Sequence, residues 1–325
     1  MPKTATFRER ILSIPGVDRL MRWIDAMPRP PLSIEVSWDR ISVVRWSRAG
    51  GVESFAVEPL AEGMIVPSAV DTNIVDVEGV RSAMKRACGR VKAQDEHVAL
   101  LLPDPVVRIF VQHFDEFPRN AQEAIPLLRW KLKKSLPFEI ADTVISFVQQ
   151  PSSEEGVDVV TTIARLRVVR EYEALVESVG LNAGVVTSSS LAALALLVPN
   201  GPTLVARVSD RSLTTAIIRA GVLFGYRCTE LPARGLEVSP QALFDEVYPL
   251  AAYFQDTWHE KIETVCVYGV GNRFSEFVGP FEKEFKCKVK PLLRTNPTDS
   301  RLAEGGRPLA EAGLDGQVGW MLSRG

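Results

Sequence analysis

Few residues of this chain stand at spacings that support catalysis. His97, His113 and His259 lie far apart with no HExxH or HxH arrangement, so no metal site is predicted and strand-face or surface roles are simplest. Cys88, Cys228, Cys266 and Cys287 form no CxxC pair. Zinc and dithiol chemistry therefore lack their usual spacing, and a reducing compartment suits the chain. Thr187-Ser188-Ser189-Ser190 offers hydroxyls, but GxSxG is absent and a helical pattern begins immediately afterwards. A helix cap is expected there, and no catalytic residue is assigned. Gly269-Val270-Gly271 follows a strand and opens a helix, and two readings stand: a nucleoside contact, or close helix–strand packing. Lys131, Lys133 and Lys134 read as a solvated helix face, and the aromatic interleaving of a nucleic-acid-binding sheet is missing.

The elements that would position these residues follow from periodicity. LSIEV, RISVVRW and VESFAVE read as a hairpin-linked meander. A helix capped by Asp76 follows, with Val77, Val80, Met84, Ala87 and Val91 on one face, and then the strand HVALLLP. After Pro103 come a strand, a helix around Ala121 to Leu136, and two further strands. The helix VREYEALVESVG ends at Gly180 and leads to the strand AGVVTS and the helix SLAALALL. Beyond Pro199-Asn200-Gly201-Pro202 the first pattern recurs: TLVARVS, LTTAIIRA and VLFGYRCTE, a helix opened by Ser239 and Pro240, and the strand TVCVYG. Residues 294–312 read as a loop or mobile segment, followed by a last apolar stretch, QVGWML.

The whole chain suits a globular protein of several lobes, since 325 residues exceed what one core usually holds. A formal charge of −2 gives no strong field toward nucleic acid or anionic lipid. No run approaches the length of a membrane span, and charges interrupt the N-terminus where a signal peptide would be apolar. A protein that neither spans a membrane nor is exported is expected. Residues 1–31 stand apart: Val17, Leu20, Met21, Ile24 and Met27 recur at helical spacing before Pro28, Pro30 and Pro31, with arginines alongside. This amphipathic helix on a Pro-rich tether either touches a membrane surface or partner, or packs on its own domain.

Two copies of a meander-plus-helix module, with a strand-helix-strand-strand unit inserted in the first, resemble the actin-like (ribonuclease H-like) α/β fold in the variant shared by FtsA and the PilM family. That family is the cytoplasmic platform of type IV pilus assembly. The resemblance spans residues 32 to 325, and its most specific stretch is Arg129-Trp130-Lys131-Leu132-Lys133-Lys134-Ser135-Leu136-Pro137-Phe138. VREYEALVESVGLNAGVV and FAVEPLAEGMI support it. It implies a first actin-like subdomain over 32–103 and 186–200, an inserted subdomain over 104–185, and a second actin-like domain over 201–325.

The resemblance also implies a function and its sites. The protein would be a cytoplasmic scaffold, peripheral to the inner membrane, in a type IV pilus-like or type II secretion-like complex. Its partner would be the N-terminal cytoplasmic peptide of a PilN-like single-span protein, docking near Arg129, Trp130, Pro137 and Phe138, with pilus motor ATPases as further candidates. At the phosphate positions the pattern is degenerate. Actin-like ATPases end a strand with a carboxylate, a spacer, a Gly and then Ser or Thr. Here Glu35 keeps the acid, Ser37 replaces the Gly and Trp38 replaces the small hydroxyl residue. In the second loop Arg207 replaces the carboxylate and Ser209 the Gly, while Gly269 and Gly271 remain on the nucleoside side. A pseudo-ATPase with no cofactor is expected. Arg207 could itself neutralise phosphate without a metal, so ATP/Mg binding stays open, and an actin-fold ATPase or small-molecule kinase is the alternative.

Overall fold

The computed structural model describes residues 30–47, 51–93, 97–151, 156–197, 201–231, 237–292 and 306–322. The helix expected within residues 1–31 lies outside them, apart from Pro30 and Pro31. The Pro31 carbonyl accepts from the Trp46 N–H at 2.7 Å, which fastens the start of the body to its first sheet.

Strands β1 (Leu32–Val36), β2 (Arg40–Trp46) and β3 (Val52–Pro59) form an antiparallel meander, and after helix α1 (Val77–Arg90) strand β4 (His97–Leu102) runs parallel to β1. Asp76 caps α1 by accepting from the Gly79 N–H at 2.9 Å, as its side chain and position predict. The chain then leaves this lobe for a three-stranded unit: β5 (Val107–Phe114), α2 (Ala121–Leu132), β6 (Thr143–Gln149) and β7 (Val157–Arg165), in the order β5-β7-β6. Helix α3 (Leu166–Glu177) and strand β8 (Asn182–Ser188) return it. β8 pairs parallel with β4, and Val168, Val169, Tyr172 and Leu175 of α3 join the first lobe's core. Residues 166–185, expected in the inserted unit, therefore sit on the first lobe. Their apolar face is covered by the larger sheet.

After the short helix α4 (Ser189–Ala193), β9 (Thr203–Ser209), β10 (Ser212–Arg219) and β11 (Val222–Glu230) repeat the meander. They are followed by α5 (Pro240–Trp258), β12 (Thr264–Tyr268), α6 (Phe274–Phe285) and β13 (Lys288–Pro291). Ser239 caps α5 by accepting from the Ala242 N–H at 3.1 Å, with Pro240 at the first helical position. The sheet orders are β3-β2-β1-β4-β8 and β11-β10-β9-β12-β13, the same topology twice. The fold is thus actin-like α/β with an inserted strand-helix-strand-strand unit.

Each lobe has its own core on its outer face, and a third apolar cluster joins the lobes. Val44 and Trp46 of the first sheet meet Val205, Ala216 and Cys266 of the second through Leu309, Leu314, Val318 and Met321. The last four belong to α7 (Gly306–Glu311), the following turn and α8 (Asp315–Leu322). Part of the segment expected as a loop is thus helical, and the terminal apolar stretch is a helix buried between the lobes. Among the described residues no helix is long and apolar enough to cross a membrane.

Candidate functional site

Strand alternation decides what faces the cleft. In β1, Leu32, Ile34 and Val36 pack toward α1, which turns Ser33 and Glu35 toward the other lobe. In β9, Leu204, Ala206 and Val208 pack toward α5 and α6, which turns Val205 and Arg207 toward the first lobe. Glu35 and Arg207 thus occupy matching strands on facing sides of the two lobes, and both are buried.

Arg207 is the hub. Its Nε and Nη2 donate to the two oxygens of Asp315 at 2.7 and 3.0 Å, a bidentate pair. Nη1 donates to Asp104 Oδ2 and Ser190 Oγ, both at 3.1 Å, and Nη2 to Ser189 Oγ at 2.8 Å. A guanidinium has five N–H donors, and all five are used. The serine hydroxyls pass the network on: Ser189 donates to Glu35 Oε1, and Ser190 donates to Asp104 Oδ2 through its hydroxyl and to Oδ1 through its N–H, at 2.9 Å for the latter. Asp104, Asp315 and Glu35 are no more than 4% exposed. Burial works against the charge on Arg207, but the attraction of Asp315, Asp104 and Glu35 outweighs it and holds the proton firmly. For Glu35 burial wins, helped by the repulsion of Asp315, and its carboxyl is pushed above its ordinary value despite Arg207.

At the inserted unit a groove of about 530 Å³ opens between Val70, Arg165 and the segment carrying Leu136, Phe138 and Ile140. Val70 belongs to the first lobe and Arg165 ends β7, so the groove lies at the junction of the two bodies. Its rim is braced where Val70 O accepts from Arg165 Nη1 at 2.9 Å and from Arg167. Pro137 and Phe138 line it. Arg129, expected beside them, is an internal brace: Nη1 donates to Ile140 O at 2.6 Å and Nη2 to Thr143 O at 3.0 Å, holding the turn that forms the groove wall. Trp130 points away, 78% exposed on the outer side of α2. Leu127, three residues earlier on α2, packs inward with Phe114 and Leu128.

No family model and no curated protein matches the sequence. Among solved structures, the PilM–PilN type IV pilus biogenesis complex aligns over 91% of this chain and 98% of that one, with a TM-score of 0.70 and 16% identity. The cytoplasmic domain of EpsL, an inner membrane component of the type II secretion system of Vibrio cholerae, aligns over 80% of this chain and 88% of that one, with a TM-score of 0.47 and 10% identity. The chain has the PilM fold.

An actin-like fold raises the question of Mg·ATP, and the residues at the phosphate positions do not fit it. A phosphate needs N–H or cationic donors turned toward it. Arg207, which could have neutralised phosphate without a metal, has none left, because Asp315, Asp104 and the two serines saturate it. The Ser37 N–H donates to Arg40 O at 2.9 Å and closes its own hairpin, beside a half-buried Trp38. Ser209 O is taken by the Ser212 hydroxyl at 2.7 Å, and Asp210, at φ +49°, makes the tight turn. Gly269 is explained by packing: at φ +83°, a Cβ there would lie 1.9 Å from Val208 O. Val270 is buried in the second lobe's core, and Gly271 opens a short 3₁₀ turn.

Asp104, Ser189, Ser190, Asp315 and Gln317 of the PilM-fold cleft were missed by sequence reasoning. Ser188 does cap α4, accepting from the Leu191 N–H at 3.1 Å, and that role masked its neighbours. A signal existed in Asp315-Gly316-Gln317-Val318-Gly319, where small residues recur three apart among polar ones. Added Cβ atoms at Gly316 and Gly319 would fall 2.4 Å from Ser189 Oγ and 2.2 Å from Ala192 O, so α8 lies flush on α4.

Proposed function

We propose that this chain is a non-hydrolysing scaffold of a type IV pilus-like or type II secretion-like inner-membrane assembly. It receives the N-terminal cytoplasmic peptide of a PilN-like single-span protein in the groove beneath Phe138. The observation that carries this reading is the contrast between two places among the described residues. The cleft where actin-like enzymes keep phosphate is filled by the chain's own charged side chains, whereas the groove between first lobe and inserted unit is open and lined by Leu136, Phe138 and Ile140. Lys133, Glu139 and Arg165 stand beside these apolar side chains, so an extended peptide carrying both apolar and charged residues suits the groove.

In this reading Phe138 and Pro137 contact the peptide and Arg129 holds the wall they stand on. The arginine-bearing segment of residues 1–31 assists at the membrane surface, and motor ATPases dock elsewhere on the scaffold. Calorimetric titration of the partner's cytoplasmic tail into wild type and Phe138→Ala tests it. The expected result is one-site binding by the wild type and a large loss in the variant. An unchanged affinity in a folded Phe138→Ala variant would move the partner site away from the groove.

A further inference from the structure

The members of the Arg207 cluster come from every body that meets at the cleft. Arg207 belongs to the second lobe and Glu35 to the first. Ser189 and Ser190 stand on α4, which connects the lobes, Asp104 stands at the root of the inserted unit, and Asp315 on the terminal helix. The terminal helix is itself fastened to the first lobe. Gln317 Nε2 donates to Ser33 O at 3.0 Å and Ser42 O at 3.2 Å, and Arg40 Nη2 donates to Gly313 O at 2.7 Å just before the helix.

A second fastening lies outside the cleft, where the inserted unit meets the edge of the second sheet. Gln150 Nε2 donates to Leu223 O at 2.8 Å, and the Leu223 N–H donates back to Gln150 Oε1 at 2.7 Å. The amide thus acts as a one-residue strand on β11, beside the register shift between Ile217 and Ile218. Opening the lobes would break these contacts together and strip the guanidinium of its carboxylates at once.

We propose that the Arg207 cluster is an internal bolt that holds the two lobes closed on one another without any ligand. Two-lobed proteins that close by hinge motion leave the interlobe angle to the ligand between them. Here a side chain of the second lobe fills that place and is gripped by the first lobe, the inserted unit and the terminal helix. The proposal rests on the same centre as the non-hydrolysing reading but fails separately. Metal-dependent phosphate release would overturn that reading, whereas lobes that move freely in the unliganded protein would overturn this one.

The test is a pulsed electron paramagnetic resonance distance between spin labels on Cys substituted for exposed Lys85 on α1 and Lys283 on α6, with Cys228 and Cys287 changed to Ser. Full-length wild type should give one narrow distance, unmoved by Mg·ATP, and Arg207→Met should lose that single peak to a broad distribution. Should Arg207→Met fail to fold, Arg207→Met with Asp315→Leu removes the charge pair together and should broaden the distance likewise. A broad or ATP-shifted distance in the wild type overturns the bolt. So does a wild-type-like distance in a folded variant.

Discussion

The two sheets of this protein share one strand order, yet their central hairpins carry opposite charges at facing positions: Glu35 on β1 and Arg207 on β9. Two carboxylates facing each other across a cleft repel and call for a cation between them. A carboxylate facing an arginine needs nothing more. Arg207 makes the facing surfaces bind each other, with Asp315, Asp104 and the α4 serines completing the shell. The pair is also unequal, because Arg207 has all its donors satisfied while Glu35 Oε2 has no hydrogen-bond partner among the described residues.

That inequality predicts very different costs for removing either side. Arg207→Ala leaves Asp315 and Asp104 buried without their cation and should lower stability by about 3–5 kcal/mol, the usual penalty for breaking a buried pair from one end. Urea denaturation of wild type and variant measures it, and a loss no larger than that of a surface substitution would mean the cluster is solvated.

The contrast between filled cleft and open groove is sharpened by Phe138→Ala. Partner binding should weaken by about 2 kcal/mol or more, roughly thirtyfold, since a buried aromatic anchor typically carries that much. Trp130→Ala, on the outward side of α2, should leave groove binding and folding within about 0.5 kcal/mol of wild type. Equal losses in the two variants on calorimetric titration would place the peptide across the outer face of α2 instead.

Much of this division is legible before any coordinates. The repeated meander, the caps at Asp76 and Ser239, and the strand-helix-strand-strand insertion follow from alternation and cap chemistry that act over a few residues. The cleft is not legible in the same way, because its carboxylate contacts join residues about a hundred or more positions apart: Arg207 to Asp315 and to Asp104, Ser189 to Glu35. Local pattern marks an Arg in a strand as an oddity but does not supply its acceptors. Helix α8 was obscured for a related reason. Buried on all sides, it lacks the polar face that makes an amphipathic helix visible in a sequence. Trp130 and Phe138 share a motif but not a location, since the chain turns at the 3₁₀ segment of residues 133–135 between them.

A gentler way to disturb the closed cleft is Gly319→Ala. The added methyl meets Ala192 O, a backbone atom that cannot swing aside, so α8 must shift. A loss of about 1–3 kcal/mol by denaturation is expected, in the range of overpacked cores. An unchanged midpoint would show that α8 is not held against α4.

The smallest expected effect is a pH dependence at Glu35. Its folded carboxyl binds the proton more tightly than the unfolded one, whose ordinary value is 4.5. Its stabilising contribution is therefore intact below that value and fades as pH rises through the raised folded value. Glu35→Gln keeps an acceptor for Ser189 and has no proton to lose. The variant should sit within about 1 kcal/mol of wild type near pH 4.5 and gain on it toward neutral pH. Denaturation midpoints across that range decide the sign, and a variant that loses ground as pH rises would show that the fold lowers the Glu35 carboxyl instead of raising it.

We propose that the cleft, satisfied from within, does not hold a metal-bridged phosphate. The most direct measurement is phosphate release from ATP by purified full-length protein, with and without Mg²⁺. No metal-dependent release above the buffer rate is expected, in wild type and Glu35→Ala alike. A clear Mg²⁺-dependent rate in the wild type that vanishes in Glu35→Ala would contradict it.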